Sequence, residues 1–228
     1  MPPRFPRPRI VLFDAVGTLI YPQPSVADVY AAAGRQHGRA VEPLEIRKRF
    51  PAALRHHGSP GPTDETRERQ RWQAIVAEVF AAQPHEDVSP LFESLWDYFS
   101  QPSHWSIYPD VSETLHRLRQ RAIPVGIASN FDQRLNWICQ ATADLAHLDP
   151  IFTSASVGYT KPSPHFYTVV QEQLGLSPET IWLVGDDPIH DVKAPQEAGW
   201  QGFLISRDGP RVAGHLSDLR ELVLLLND

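Results

Sequence analysis

The sequence predicts an α/β protein: a Rossmann-like, doubly wound parallel sheet with an all-helical unit inserted after the first strand. Three observations predict it. Apolar runs with β propensity recur along the chain and are apolar throughout rather than alternating, as in parallel strands covered on both faces. From residue 106 onward, helical patterns separate these runs, the order of a parallel sheet built from crossovers. Between residues 21 and 105 the alternation stops and only helical spacing remains.

The first strand is expected over residues 9–14, preceded by an arm. With four prolines in the first nine residues, the first eight are expected to be frayed. In the insert, Ser25 caps a helix ending near Gly38, and Pro43 opens another that is interrupted at Pro51. Thr63 opens a long helix with Trp72, Ile75, Val76, Val79 and Phe80 at helical spacing, and Pro90 opens a fourth with Leu91, Leu95, Trp96 and Phe99. No strand is expected there. Residues 21–24 and 104–109 read as hinges and 56–62 (H-H-G-S-P-G-P) as a loop. The division follows: residues 1–20 and 106–228 form the core, and 21–105 a helical cap. In the core, Asp110 and Glu113 suggest a capping box opening a helix through Arg121, with Val111, Leu115 and Leu118 on one face. Further strands are expected at 123–129, 180–186 and 202–206, with a weaker one at 151–156. Ser163-Pro164 starts a helix that Gly175 stops, and Ser217 begins the last, carrying Leu219, Leu222, Val223 and Leu226.

Composition narrows the function. A formal net charge of −6 argues against a general nucleic-acid surface. A single cysteine, Cys139, excludes an intrachain disulfide and fits a reducing compartment, so a cytoplasmic protein is expected. No run of about 18 uncharged apolar residues exists to span a membrane, and the N-terminus lacks the apolar centre of a signal peptide. No apolar stripe is clearly left over once the core is built, so the sequence specifies no oligomeric state.

Chemistry-bearing residues gather at strand ends. Asp14 ends the first apolar run and is followed by Gly17 and Thr18; Ser129-Asn130 closes the strand I-P-V-G-I-A-S; Lys161 lies in V-G-Y-T-K-P-S-P; Asp186, Asp187 and Asp191 lie in G-D-D-P-I-H-D. Ligands of open α/β sheets bind beyond the carboxyl ends of the strands, where all four elements can converge. Clustered carboxylates repel and need a counter-cation, and an oxygen-only donor set points to Mg²⁺ rather than zinc. A metal and a lysine neutralise a phosphate dianion, so the set suits phosphoryl transfer through attack by a carboxylate. Taken singly, each element has a blander reading. Asp14 is then a polar strand end, Ser129-Asn130 a turn, Lys161 a surface charge and Asp187 a helix cap. His190 reads as a surface or supporting group, Lys48 in R-K-R as a solvated charge, and His56 and His57 as loop residues without the helical spacing of a zinc pair. The tryptophans of the insert read as its core, with Trp105 beside a hinge the exception.

Together, and in this order, the four elements resemble the haloacid dehalogenase-like hydrolase superfamily over residues 9–20 and 106–206. S-N-F-D-Q-R-L, G-Y-T-K-P and V-G-D-D-P-I-H-D resemble the branch labelled hydrolase-domain-containing protein 3. The resemblance implies a hydrolase of a small phosphorylated compound, with Asp14 as nucleophile and Mg²⁺ ligand and Thr18 orienting it. It further implies the Val16 carbonyl as a ligand, Ser129 and Asn130 binding the phosphoryl group, and Lys161 steadying nucleophile and phosphate. Asp186 would bind metal directly and Asp191 from behind it, with Asp187 a further candidate. The departure is Val16, where phosphatases of the superfamily usually carry an acid–base Asp. His190 is the conceivable substitute. Dehalogenases carry an aromatic residue at that position but lack the acid-rich fourth motif. Phosphonatases use a cap lysine, and Lys48 is the only lysine in the insert. The alternative is a catalytically silent fold that binds a ligand or partner protein.

Overall fold

The computed structural model describes residues 5–83, 85–207 and 212–226. In chain order the elements are β1 (Ile10–Phe13), β2 (Ile20–Pro22), α1 (Val26–Gln36), α2 (Pro43–His56), α3 (Glu65–Val79), α4 (Ser89–Ser100), β3 (Trp105–Ile107), α5 (Val111–Gln120), β4 (Val125–Ser129), α6 (Arg134–Ala141), β5 (Ile151–Thr153), α7 (Ser154–Val157), α8 (Pro164–Leu174), β6 (Ile181–Gly185), α9 (Ala194–Glu197), β7 (Gln201–Leu204) and α10 (Arg220–Leu224). A π-turn, Pro188–Lys193, joins β6 to α9.

Five strands form a parallel sheet in the order β5-β4-β1-β6-β7. The most uniformly apolar run, β1, takes the centre, with Leu12 flanked by Gly126 and Leu183. Because strand side chains alternate in direction, β1 feeds two cores. Val11 and Phe13 pack with Val111, Leu115 and Leu222; Ile10 and Leu12 pack with Phe166, Val170 and Trp200 on the other face. That two-sided burial explains the unbroken hydrophobicity. Helices α1–α4 enclose a third apolar cluster, which includes Tyr30, Ile46, Val76 and Leu91. No described helix is long and apolar enough to cross a membrane.

Several local expectations change. The hinges pair as an antiparallel ribbon: β2 meets β3 with Ile20 opposite Ile107 and Pro22 opposite Trp105. Three-residue strands whose partners lie some eighty positions apart carry no periodic signal to read. Helix α2 continues through Pro51 instead of breaking there. Asp64, not Thr63, caps α3, while Thr63 donates to Glu68 at 3.0 Å. The last helix starts at Arg220, with Ser217 donating to Glu221 at 2.7 Å. The weak strand stops at Thr153, whose hydroxyl forms a capping box with Ser156 to open α7. Residues 1–4 of the expected frayed arm lie outside the described residues. The rest of the arm is docked: Phe5 packs edge-on against Trp182 and Phe203, and Arg7 donates to the Arg121 carbonyl at 2.8 Å.

The helical unit is fastened to the sheet by polar contacts as well as by its ribbon. Thr63 N donates to Gly158 O at 2.9 Å and Thr160 N to Gly61 O at 3.1 Å, immediately before Lys161. Glu68 on α3, fully buried, accepts from Ser154 of α7 at 3.0 Å, and Glu65 accepts from Gln133 N at 3.0 Å.

The expected capping box at Asp110 is replaced by a tertiary contact. Its carboxylate receives Arg207 Nη1 at 2.7 and 2.6 Å and Leu219 N at 2.7 Å. Arg207 also donates through Nη2 to the Thr18 carbonyl and lies 4.0 Å over the Tyr108 ring. This buried pair ties together the loop after β1, the exit from the ribbon and the C-terminal segment. Asp110→Ala strands a buried guanidinium and is expected to cost about 3–5 kcal/mol in urea unfolding. Glu113→Ala removes two exposed pairs, with Arg117 and Arg220, and is expected to cost about 1 kcal/mol or less. Equal losses for the two variants would reinstate the capping box.

Candidate active site

At the carboxyl end of β1, just beyond the sheet's last hydrogen bonds, Asp14 N donates to Val184 O at 2.8 Å. The chain then turns sharply: the Ala15 carbonyl accepts from Thr18, Leu19 and Ile20, and Gly17 N returns to Ile20 O at 2.9 Å. Gly17 is required twice over. Its φ of +86° disfavours a side chain, and a Cβ there would lie 2.4 Å from Asp186 Oδ2. At the end of β6, a Cβ on Gly185 would lie 2.1 Å from Asp191 Oδ2. Two missing side chains thus let carboxylates from β6 and the π-turn close on β1.

Lys161 binds this assembly together. Only 2 % exposed, its Nζ donates to Asp14 Oδ1 at 2.8 Å, Asp191 Oδ1 at 2.6 Å and Ala128 O at 2.9 Å. Burial alone would depress the ammonium, but Asp14 and Asp191 outweigh it and hold its pKa above the ordinary lysine range. Asp191 is pushed up to about 6 by burial, against the pull of Lys161, and its second oxygen accepts from Asp187 N at 3.0 Å. Asp186 stands on the open side of the cluster. Partial withdrawal from water, then the charges of Asp14 and Asp191, push it up to about 7. Asp14, Asp186 and Asp191 offer oxygens within 4.8 Å of one another. One ammonium does not balance three carboxylates, and the cradle left by Gly17 keeps Asp186 close. The residues therefore fit a hard divalent cation.

Other expected site residues separate from this cluster or take different tasks. The Ser129 hydroxyl, at the end of β4, has no hydrogen-bond partner among the described residues, which leaves it available to a ligand. The Asn130 side chain is already committed. It donates to Lys161 O at 2.8 Å and accepts from Lys161 N at 2.7 Å, so it positions the lysine backbone instead of reaching a phosphate. Thr18 is buried but its hydroxyl meets no partner, so the orienting contact to Asp14 is absent and Lys161 supplies it. Asp187 falls outside the metal cluster: its Oδ1 caps the π-turn through Ile189 N and His190 N, both at 2.8 Å. The His190 ring faces Asp187 at 3.4 Å, its pKa lowered by burial. Lys48 pairs with Glu45 at 2.9 Å on the outer surface of α2. His56 and His57 converge on Glu78, at 2.6 and 2.9 Å, instead of dangling in a loop.

Three groups escaped the sequence reading. Asp132 and Arg134 form a buried pair at 2.7 Å, and the guanidinium lies 3.4 Å over the Trp96 ring of α4. They are the acid and the arginine of the motif S-N-F-D-Q-R, whose spacing gave no sign of an aromatic partner in the insert. A cavity of about 240 Å³ lies between α1–α4 and the sheet. Trp72 and Trp96, expected as core, line it together with Trp105, and Val16 and Asn130 form its floor.

The family model for haloacid dehalogenase-like hydrolases matches residues 8–199. The human haloacid dehalogenase-like hydrolase domain-containing protein 3 is 29% identical over 204 residues, covering 86% of this chain and 81% of the human protein. A haloacid dehalogenase-like phosphatase from Thermococcus onnurineus superposes with a TM-score of 0.67 at 25% identity, covering 95% of this chain and 97% of its own. A defluorinating L-2-haloacid dehalogenase superposes with a TM-score of 0.73 at 20% identity over 99% of both chains, a likeness of fold alone. With the acid cluster at the strand ends and a helical insertion after β1, the chain belongs to the haloacid dehalogenase-like hydrolase family.

Proposed function

We propose that this protein is a magnesium-dependent phosphatase of a small phosphorylated compound, working through an aspartyl-phosphate on Asp14. The observation that carries the reading is the buried Lys161 ammonium bonded at once to Asp14 and Asp191. It fixes the direction of the Asp14 carboxylate and sets a positive charge beside it, which a carboxylate nucleophile needs. Asp14, Asp186 and the Val16 carbonyl would hold the magnesium ion, with Asp191 supporting from behind Lys161; when bound, the ion supplies charge neutralisation at the phosphate. No hydrogen bond to that carbonyl occurs among the described residues, so it is available. The Ser129 hydroxyl and the backbone N–H of Asn130 would hold phosphate oxygens. Residues 21–105 would serve as the cap that excludes water.

An Asp14 oxygen forms a bond to phosphorus while the phosphorus–oxygen ester bond breaks, and the departing oxygen keeps the electron pair. Water then attacks phosphorus, releasing phosphate and restoring the Asp14 carboxylate. Val16 can neither protonate the departing oxygen nor deprotonate the water. A missing positioned acid–base group slows a reaction by about 10²- to 10⁴-fold, so turnover is slow. The same valine favours a second reading, a fold that binds its ligand without turning it over.

Asp14→Asn is expected to lower phosphate release from acetyl phosphate by about 10³-fold or more; unchanged release would remove Asp14 as nucleophile. Val16→Asp is expected to accelerate hydrolysis of alkyl phosphates by about 10²-fold or more, and of acetyl phosphate by less, because only poor leaving groups need the acid. No turnover by either form would transfer the site to the binding reading. Magnesium at a hundredfold excess over its Kd should stabilise the metal-stripped protein by about 2.7 kcal/mol in thermal unfolding. Asp186→Asn should abolish that gain, and a melting point indifferent to magnesium would end the divalent-ion assignment.

A further inference from the structure

The cavity under the helical unit states what kind of group the phosphate is attached to. Its floor is Val16 and Asn130, the residues beside the strand ends that carry Asp14 and Ser129. Its walls are rings: Tyr30 from α1, Phe50 from α2, Trp72 from α3, Trp96 from α4, Trp105 from β3 and Phe131 after β4. No Asp, Glu, Lys, His, Ser or Thr is among the described residues lining it. Its one charged group, Arg134, is neutralised by Asp132 at 2.8 and 2.7 Å and pressed against Trp96. The Asn130 side chain is bound to the Lys161 backbone, and Trp105 Nε1 donates to Phe99 O at 3.2 Å. Apart from the Tyr30 hydroxyl, which has no hydrogen-bond partner among the described residues, the lining offers a sugar or a second charge little to replace its lost water. A flat apolar ring would lose nothing and would gain offset and edge contacts with the walls.

We propose that the substrate is the phosphate monoester of an aryl alcohol, with its ring seated in this cavity. The proposal rests on the phosphatase reading of Asp14 and names the substrate class for it. The volume, about 240 Å³, exceeds the ~150 Å³ apolar cavity that accepts benzene, leaving room for a larger ring system. Val16 supports the same class. An aryloxide departs with the electron pair of the broken phosphorus–oxygen bond more readily than an alkoxide and then takes its proton from water. The residue that removes the general acid therefore also completes the apolar floor.

The test compares probes whose leaving groups are chemically alike. With magnesium present, 2-naphthyl phosphate should exceed phenyl phosphate in kcat/KM by about tenfold or more, because the extra ring fills the cavity. Leu54, which also lines the cavity, allows it to be filled from α2: Leu54→Trp should bring that ratio close to one. A ratio near one in the unmodified protein, with acetyl phosphate still hydrolysed, overturns the aryl assignment and leaves the reading of Asp14 intact. If no phosphate compound is hydrolysed, calorimetry with 2-naphthylmethylphosphonate and methylphosphonate decides between the two claims. Naphthyl binding tighter by about tenfold upholds the aryl cavity and ends the hydrolase reading; equal binding overturns both.

Discussion

A buried ammonium governs this structure. Lys161 has almost no contact with water, so its charge is tolerable only while Asp14, Asp191 and the Ala128 carbonyl surround it. Those three partners come from the end of β1, the π-turn after β6 and the end of β4. The cation therefore sets the relative positions of the adjacent central strands of the sheet at their carboxyl ends. Removing both carboxylates would leave a buried charge unpaired, a fault worth about 3–5 kcal/mol in buried pairs. Asn130 enforces the arrangement from outside by clamping the Lys161 backbone on both its N–H and its carbonyl. The glycines at 17 and 185 make it sterically possible, since a methyl group at either position would collide with a carboxylate of the cluster.

Around that polar centre the helical unit builds the opposite environment. It is attached through a short antiparallel ribbon and through backbone bonds that run directly into the segment bearing Lys161. Position of the helical unit and position of the lysine are thus linked by three residues of chain. The helical unit turns rings toward the sheet, and the only charged wall residue among those described is matched by its own aspartate and stacked on a tryptophan. A cluster with excess negative charge and a neutral aromatic cavity share one boundary, Val16. The acid cluster on one side and the apolar cavity on the other meet at a residue whose side chain can contribute only to the second.

How much of this could be read from the chain depended on how local the cause was. The five parallel strands were visible because burial on both faces makes each run apolar regardless of its partner. The four helices of the insert were visible because helical periodicity and proline or serine starts are properties of neighbouring residues. Asp14, Ser129 and Asp186 could be marked because the end of a parallel strand is a known address for ligands; Lys161, expected at a strand end, lies instead between α7 and α8. The ribbon of β2 and β3 was hidden, since three residues show no period and the partner is remote. Asp110 was misread for the same reason: its capping pattern with Glu113 was local and real, but Arg207, almost a hundred residues away, offered a charge that a backbone N–H could not match.

By itself, then, the sequence determined the α/β class, the helical insertion, the acidic strand ends and the absence of an acid at position 16. Tertiary structure alone decided which of those acids meet. It put Asp187 on a turn and Asp191 on the lysine, spent the Asn130 side chain on backbone, left the Ser129 hydroxyl open, and assembled tryptophans from three elements into one wall. The physical reason is that a side chain's partner is fixed by packing in three dimensions. The spacing of residues in the chain records the faces of helices and strands, but not which faces are brought together.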